Sequence, residues 1–490
     1  MKLSRMCACL GAVPSGPGDP EITGLDCDSN RVEPGHLFAA LPGARCNGLT
    51  YLPQALARGA VAVLTQAPPP GDVPVPVIQV PDARKALALL AGEFYGHPAE
   101  KMTLTGITGT KGKTTTAHIL KSILEAAGQK TAMVGTLGGF IGGERVLEAG
   151  NTTPEPVTLH RFLARAAGAG CTHLVMEVSS QALKQGRVFG LDYDAAIFLN
   201  LTPDHIGGAE HRDFGEYLAC KSLLFRQCAG AVANSDDPHW RAVLEGCTAP
   251  LTTFGFEAGA EVRGGAIRPV REGGTLGCEF PVSGYKAPLW VGLPGPYNAA
   301  DALAALAAAR VLGIGEDAVR EGLRRVRVPG RAELLPLPNG AVLVIDYAHN
   351  GASFESILST LADYDHRRLI VVFGAGGNRP RLRRRDMADV AARYADLAVV
   401  TGDNPRWERV EDICADIEAG LDGRVPCEVI YDRADAIRYA LELSQPGDIV
   451  ALLGKGHEEY IEERGQRRPF SERAIAEEWK AGRCKGSDKE

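Results

Sequence analysis

Short, wholly apolar runs alternate along this chain with stretches in which apolar residues recur at helical spacing. VAVLT and PVIQV near the N-terminus read as buried strands. So do THLVMEVSS, YDAAIFLNLT and AGAVANS in the middle, and AVLVIDYAH, RLIVVFGAGG, DLAVVTGDN and DIVALLGKG towards the C-terminus. Runs apolar on both faces suit parallel strands covered by helices on both sides. Helical spacing returns between them, as in ARKALALLAGEF, HILKSILEAAG and NAADALAALAAARVLG. The pattern predicts an α/β protein built on mostly parallel sheets.

Three blocks emerge. Residues 1–98 form a small α/β block, read as strand, helix, strand, helix, with proline-rich joins at Pro68–Pro70 and Pro74–Pro76. Residues 99–330 form a central block, a mostly parallel sheet interrupted by a glycine-rich, strand-like span from Phe254 to Val291. Residues 331–490 repeat the αβ pattern in the manner of a Rossmann-like domain, and their strands run into loops rich in Gly, Asp, Asn and His. Ligands of open α/β sheets bind beyond those strand ends. The chain's 490 residues fit about three domains at roughly 150 residues each.

Composition narrows the class. The hydrophobic fraction is 45% and the charged fraction 23%, as in soluble globular proteins. With 53 Lys and Arg against 60 Asp and Glu, the net charge of −7 argues against a nucleic-acid partner, though a local cationic pocket can still take an anionic small molecule. The 12 cysteines are scattered without a CxxC, which suits a reducing, cytoplasmic compartment. MKLSRMCACLG is too short and punctuated for a signal peptide, and no apolar run reaches the roughly 18–20 residues of a membrane span. A soluble monomer acting on small molecules is expected.

The strongest local signal is GITGTKGKTT. An apolar run, a glycine-rich turn and a helical pattern follow one another, the order that wraps backbone N–H groups and a helix N-terminus around a polyphosphate. Gly109, Thr110, Lys111 and Gly112 would form the loop. Lys113 would reach the terminal phosphates, and Thr114 or Thr115 would offer a hydroxyl to Mg²⁺. This loop alone leaves GTPase, kinase, ATPase and ligase open. Glu177 and His205 follow two further strands and could complete a Mg²⁺ shell at the same sheet edge. Lys221 sits on an apolar helical stretch, YLACKSLLF, where burial would favour a neutral, reactive amine.

These residues, with NTTPEP, EVSS, NLTPDH, YLACKSLLF, GPYNAADALAA, PGRAE, DYAHN, FGAGGNR, TGDNPR and GKGHE in order along nearly the whole chain, resemble the Mur ligase family, the ATP-dependent amide ligases of peptidoglycan assembly. Within it the resemblance is greatest to members that extend UDP-MurNAc-L-Ala-D-Glu. It implies a UDP-sugar domain, a central ATPase sheet and a Rossmann-like C-terminal domain. It implies phosphorylation of the D-Glu carboxylate by ATP and attack on the acyl phosphate by an incoming amine.

By the same resemblance Glu177, His205 and a carbamylated Lys221 would hold Mg²⁺, with Thr114. Asn298 would contact adenine, and Arg331, Asp346 and His349 would close over the nucleotide. Ser29 would touch the uridine diphosphate. Asn151, Thr152, Thr153, Ser179, Gln185 and Arg187 would hold the muramoyl dipeptide. Three departures from the family pattern concern this pocket: Asn30 stands where Arg is usual, Gln181 where His is usual, and DHIGGAEH replaces a shorter segment, so that His211 is displaced.

The loop Asp403-Asn404-Pro405-Arg406 resembles the signature of members that add meso-diaminopimelate. The physical logic is a second carboxylate met by a guanidinium fork, which L-lysine would leave unpaired. Arg384, from the arginine run Arg379–Arg385, would supply a second guanidinium, and Gly454 and Glu458 would hold the distal amino-acid head. Asn350-Gly351 instead resembles lysine-adding relatives, so L-lysine is the alternative nucleophile. A folylpolyglutamate synthase and a non-catalytic nucleotide-binding protein are the rivals from outside this reading.

Overall fold

The computed structural model describes all residues except 44, 45, 205, 208, 209, 273 and 488–490. By compactness the chain forms two units, one of Met1–Arg263 with Leu303–Val319, the other of Gly264–Ala302 with Arg320–Glu490.

The first unit holds two sheets. Strands β1 (Gly24–Asp26), β2 (His36–Ala40), β3 (Ala62–Thr65) and β4 (Val77–Gln79) pair in chain order, all parallel. β3 and β4 fall on the two apolar runs read from the sequence. β1 is only three residues long, too short to show a period. The helix Ala83–Phe94 is capped by Asp82, which accepts from the N–H groups of Arg84 and Lys85 at 3.1 Å. Its Ala83, Leu87 and Leu90 close the core over Leu37, Leu64 and Ile78.

The second sheet comprises β5 (Thr103–Thr108), β6 (Thr131–Gly135), β7 (Gly138–Ile141), β8 (Glu144–Leu147), β9 (His173–Glu177), β10 (Ala195–Phe198), β11 (Ala231–Asn234), β12 (Leu251–Gly255) and β13 (Val262–Arg263). Their order is β13-β12-β11-β10-β5-β9-β6-β7-β8, parallel throughout except for the antiparallel β7 and β8 at one edge. The central parallel strands β5, β9 and β10 are buried on both faces, as their apolar sequence requires. Ile107 pairs with Glu177 and Thr108 with Phe198, so the loops after β5, β9 and β10 emerge side by side.

The second unit contains the antiparallel strands β14 (Arg268–Glu272), β15 (Thr275–Phe280) and β16 (Leu289–Val291), the glycine-rich span of the sequence. They are tied within this unit by Tyr364, whose hydroxyl donates to Gly277 O at 2.7 Å, and by Arg271, which donates to Gly340 O and Gly447 O. Strands β17 (Glu333–Pro336), β18 (Val342–Asp346), β19 (Leu369–Phe373), β20 (Leu397–Val400), β21 (Cys427–Val429) and β22 (Ile449–Leu453) form a sheet in the order β17-β18-β22-β19-β20-β21, parallel except for β17. Leu453 pairs with both Asp346 and Phe373, and Phe373 with Val400. DYAHN, GKGHE, FGAGGN and TGDNPR therefore leave one sheet edge together. A hairpin, β23 (Tyr460–Glu463) and β24 (Gln466–Pro469), follows GKGHE. Among the described residues no helix is long and apolar enough to cross a membrane.

Candidate active site

In the first unit the phosphate loop follows β5 and opens the helix Lys113–Ala126. Gly109 and Gly112 take φ of 158° and 87°, and a Cβ on Gly109 would sit 2.9 Å from Leu199 Cβ, so this turn needs glycine. Asn200 locks the loop from outside. Its carbonyl accepts from Thr110 N at 3.0 Å, its Oδ1 from Lys111 N at 2.9 Å, and its Nδ2 donates to Lys111 O at 3.1 Å. The amides of Thr110 and Lys111 thus shape the loop, and the cradle of donors for phosphate falls to the first helical turn, Lys113 to Thr115. Lys113 Nζ folds over the loop, donating to Gly109 O at 2.9 Å and Thr110 O at 3.1 Å.

Glu177 is buried at the end of β9. Its Oε2 accepts from Thr114 Oγ1 at 3.0 Å and Thr136 Oγ1 at 3.1 Å, and its Oε1 from Thr136 N at 2.9 Å. Burial lifts its carboxyl above the ordinary range, against the opposing pull of Lys113 and these hydrogen bonds. Thr136 was not legible as a site residue; it follows β6, and only the sheet order brings it beside Glu177. Lys221, on the helix Phe214–Ser222, is also buried. Its Nζ donates to Gly109 O at 2.9 Å and lies 4.6 Å from the Tyr217 ring centre. Burial first, and then the charge of Lys113, lower its pKa well below that of an ordinary lysine. Tyr217 OH lies 3.1 Å from Thr110 Oγ1. His205 lies outside the described residues. Thr114 and Glu177 present hard oxygen donors at a helix N-terminus beside the loop, a set that fits Mg²⁺ shared with phosphate oxygens.

Beside this centre the first unit carries a cleft of about 880 Å³, lined among others by Asp28, Asn30, Arg31, Arg58, Asn151 and Arg161. It reaches Gly135, where a Cβ would collide with Glu177 Oε1, so its inner end adjoins the buried carboxylate. The buried hydroxyl of Ser29 donates to Gln54 Oε1 at 2.9 Å, and its neighbours Asp28, Asn30 and Arg31 line the cleft. Asn30 accepts from Gln54 Nε2 at 3.0 Å.

Other expected dipeptide contacts assemble into one cluster. Thr153 Oγ1 donates to Glu177 O at 2.9 Å and accepts from Ser179 N at 3.0 Å. Arg187 donates to Thr153 O at 2.8 Å and Gln185 Oε1 at 2.8 Å, and pairs with Glu155 at 2.9 Å. Thr152 Oγ1 lies 3.1 Å from Thr136 Oγ1. Ser179 also caps the helix Ser180–Lys184. His211, displaced in sequence, is buried with Nε2 2.9 Å from Ser180 Oγ.

In the second unit Asn298 is buried and donates to Pro294 O at 2.6 Å, so this N–H of its amide holds a turn. Arg331 lies over the Tyr347 ring at 4.8 Å. Asp346 accepts from Ala332 N and Ala348 N, both at 2.7 Å, and burial raises its pKa. His349 Nδ1 lies 2.8 Å from Tyr347 O; a carbonyl only accepts, so Nδ1 carries the proton and Nε2 points onward.

Around the DNPR loop, Asp403, Asn404, Gly454 and Glu458 come together. Asn404 Nδ2 donates to Glu458 Oε2 at 2.8 Å, and a Cβ on Gly454, at φ 118°, would sit 2.9 Å from Asp403 Oδ2. Pro405 O accepts from Glu408 N at 3.0 Å, turning the loop. Arg406 takes φ 53°, donates from Nη1 to Gly377 O at 2.7 Å, and lies 3.7 Å from Glu462.

Arg384 is buried, and its two Nη groups bind Asp416 at 2.7 Å and Glu408 at 2.6 Å. Glu408 in turn accepts from Asn378 N. Arg384 therefore braces the loop that carries Arg406, while its Nε stays buried without a hydrogen-bond partner among the described residues. Gly376 lies between two arginines: a Cβ built on it would have Arg406 Nη1 at 3.3 Å and Arg379 Cγ at 3.9 Å.

Two mostly parallel sheets whose strand ends gather polar loops, one of them carrying a glycine-rich phosphate loop with a buried carboxylate and a buried lysine, define a nucleotide-dependent enzyme. Family models match three successive segments: residues 21–95 as "Mur ligase family, catalytic domain", 107–309 as "Mur ligase middle domain", and 330–456 as "Mur ligase, glutamate ligase domain". The chain is 40% identical over 479 residues to the UDP-N-acetylmuramoyl-L-alanyl-D-glutamate–2,6-diaminopimelate ligase of Geobacillus thermodenitrificans, covering 94% of this chain and 95% of that protein. It is 37% identical to the protein of the same name from Aquifex aeolicus, covering 95% of each. A solved structure of a ligase of that name aligns over 99% of this chain with a TM-score of 0.73 and 27% identity. A folylpolyglutamate synthase of Mycobacterium tuberculosis shares the fold alone, at 19% identity, a TM-score of 0.58 and 76% of this chain. This chain belongs to the Mur ligase family.

Proposed function

We propose that this enzyme joins meso-2,6-diaminopimelate to UDP-N-acetylmuramoyl-L-alanyl-D-glutamate with conversion of ATP to ADP and phosphate, a step of peptidoglycan precursor synthesis. The observation that carries this is the convergence of Lys113, Thr114, Glu177 and Lys221 on one phosphate loop, at the inner end of a cleft large enough for a nucleotide-sugar peptide. Full-length likeness to ligases named for that reaction supports the choice of substrates. The division at 98/99 and 330/331 is proposed on the strand–helix alternation and on the three matched family segments.

In this reading Lys113 and the amides of the first helical turn hold the ATP phosphates in line with the D-Glu carboxylate. Thr114, Glu177, His205 and a carbamylated Lys221 would hold Mg²⁺, which would supply charge neutralisation. The low-pKa amine of Lys221 is the form that reacts with CO₂. The carboxylate attacks the γ-phosphoryl group, ADP leaves, and the amine of the third substrate displaces phosphate from the acyl phosphate. That amine must lose a proton, and His349 Nε2 is a candidate acceptor. Asn151, Thr152, Thr153, Ser179, Gln185 and Arg187 support the dipeptide. Arg406 meets the distal carboxylate with Arg384 as the second guanidinium, and Asp403, Asn404, Gly454 and Glu458 meet the distal amino-acid head.

The lysine alternative loses its sequence argument. Asn350 is a helix cap, its Oδ1 accepting from Ser353 N at 3.0 Å in a reciprocal capping box, which explains Asn350 without reference to substrate. The test is ADP release with UDP-MurNAc-L-Ala-D-Glu and a panel of amino acids. Turnover should be fastest with meso-diaminopimelate; faster turnover with L-lysine, or turnover with folate only, overturns the proposal.

A further inference from the structure

Lys455 follows β22 in the GKGHE loop and is fully buried. A lysine ammonium has three N–H groups and no acceptor. Here three acceptors surround it: Asn404 Oδ1 at 3.1 Å, Glu458 Oε2 at 3.2 Å and Asp403 Oδ1 at 3.3 Å. They come from two different strand ends, β20 and β22, and all three belong to the proposed amino-acid pocket. With each N–H matched to one acceptor, Lys455 keeps no donor for a ligand.

Its effect is on the orientation of its partners. Asn404 Oδ1 also accepts from Glu462 N at 2.9 Å, so both its lone pairs are taken and the amide cannot flip. Nδ2 is thereby turned towards Glu458, with one N–H remaining to face a ligand. Glu458 is fixed on its other oxygen by Tyr347 OH at 3.2 Å. Beneath the same loops, the buried pair of Arg433 and Glu472, 2.7 Å apart, anchors the carbonyls of Gly402 at 3.1 Å and Leu453 at 2.9 Å, the residues just before Asp403 and Gly454. The backbone is thus held independently, and Lys455 acts on the side chains.

We infer that Lys455 is a positioning residue for the amino-acid substrate: a buried cation that fixes the carboxylates of Asp403 and Glu458 and the amide of Asn404 in the orientation that receives the distal head of the diamino acid. This rests on the pocket assignment made above. It explains why a lysine stands there: three diverging acceptors fit a tetrahedral ammonium and not a planar guanidinium.

The experiment is steady-state kinetics of Lys455→Met and Lys455→Arg with each of the three substrates varied. Lys455→Met should raise KM for meso-diaminopimelate about 30-fold or more, as expected for removing a buried charge partner, with KM for ATP and the UDP-muramoyl dipeptide within about twofold. Lys455→Arg, which keeps the charge but not the geometry, should give an intermediate rise of about 5–10-fold. If Lys455→Met does not fold, Lys455→Arg decides. An unchanged KM for the amino acid, or a parallel rise in all three KM values, overturns the inference. If the unaltered enzyme itself does not turn over diaminopimelate, the functional reading fails instead.

Discussion

Lys221 Nζ donates to the carbonyl of Gly109 at 2.9 Å, joining a helix of the central sheet directly to the phosphate loop. A lysine buried there, beside the cationic Lys113, favours its neutral form, and a neutral amine is what CO₂ requires. Lys221→Ala should cut ligation by about 100-fold or more, the scale of removing one preorganised charge-stabilising group. Added acetate or formate should restore part of that rate by supplying the missing carboxylate. A variant with full activity would exclude the role.

Lys113→Ala should abolish ADP release, since it removes the cation that donates to the loop carbonyls of Gly109 and Thr110. The expected loss is about a thousandfold, because the charge that develops on the transferring phosphoryl group has lost a fixed cation. Near-normal turnover in a phosphate-release assay would contradict the site.

Glu177 offers a test through pH. Burial raises its folded pKa above the unfolded value near 4.5. A raised acid favours the protonated folded state, so its contribution to stability is present below pH 4.5 and lost as pH rises through the folded value. At pH 8 the buried carboxylate destabilises the fold, and Glu177→Gln should melt a few degrees higher there, about 2–4 °C per kcal/mol. The gain should shrink towards pH 4, and ligation should be lost throughout. Thermal melts across this range decide it; a shift independent of pH would remove the carboxylate from the explanation.

Arg406 and Arg384 should separate in their phenotypes. Arg406→Ala should weaken transition-state binding of diaminopimelate by about 2–4 kcal/mol with little change in melting temperature. Arg384→Ala leaves Glu408 and Asp416 without their shared partner, and should lower stability by about 1–3 kcal/mol in addition to weakening diaminopimelate binding. Denaturant unfolding alongside amino-acid kinetics distinguishes them. A selective KM effect of Arg384→Ala at unchanged stability would show that its two ion pairs contribute little to the fold.

Much of this protein was written in local order. The apolar runs that became β5, β9, β10, β18, β19, β20 and β22 are buried on both faces, and short runs of that kind between helical stretches suit central parallel strands. The phosphate loop was equally plain, because strand, glycine turn and helix are contiguous. What sequence alone left open was which polar atoms face which. Thr136 meets Glu177 only because β6 lies next to β9, and Asn200 grips the phosphate loop only because β10 lies next to β5. Ser29 turns to Gln54, Arg384 to two carboxylates, and Lys455 to three acceptors from two strand ends. Periodicity and turn chemistry are set by neighbours in the chain. The partner of a side chain is set by strand order and register, which bring together residues distant in sequence.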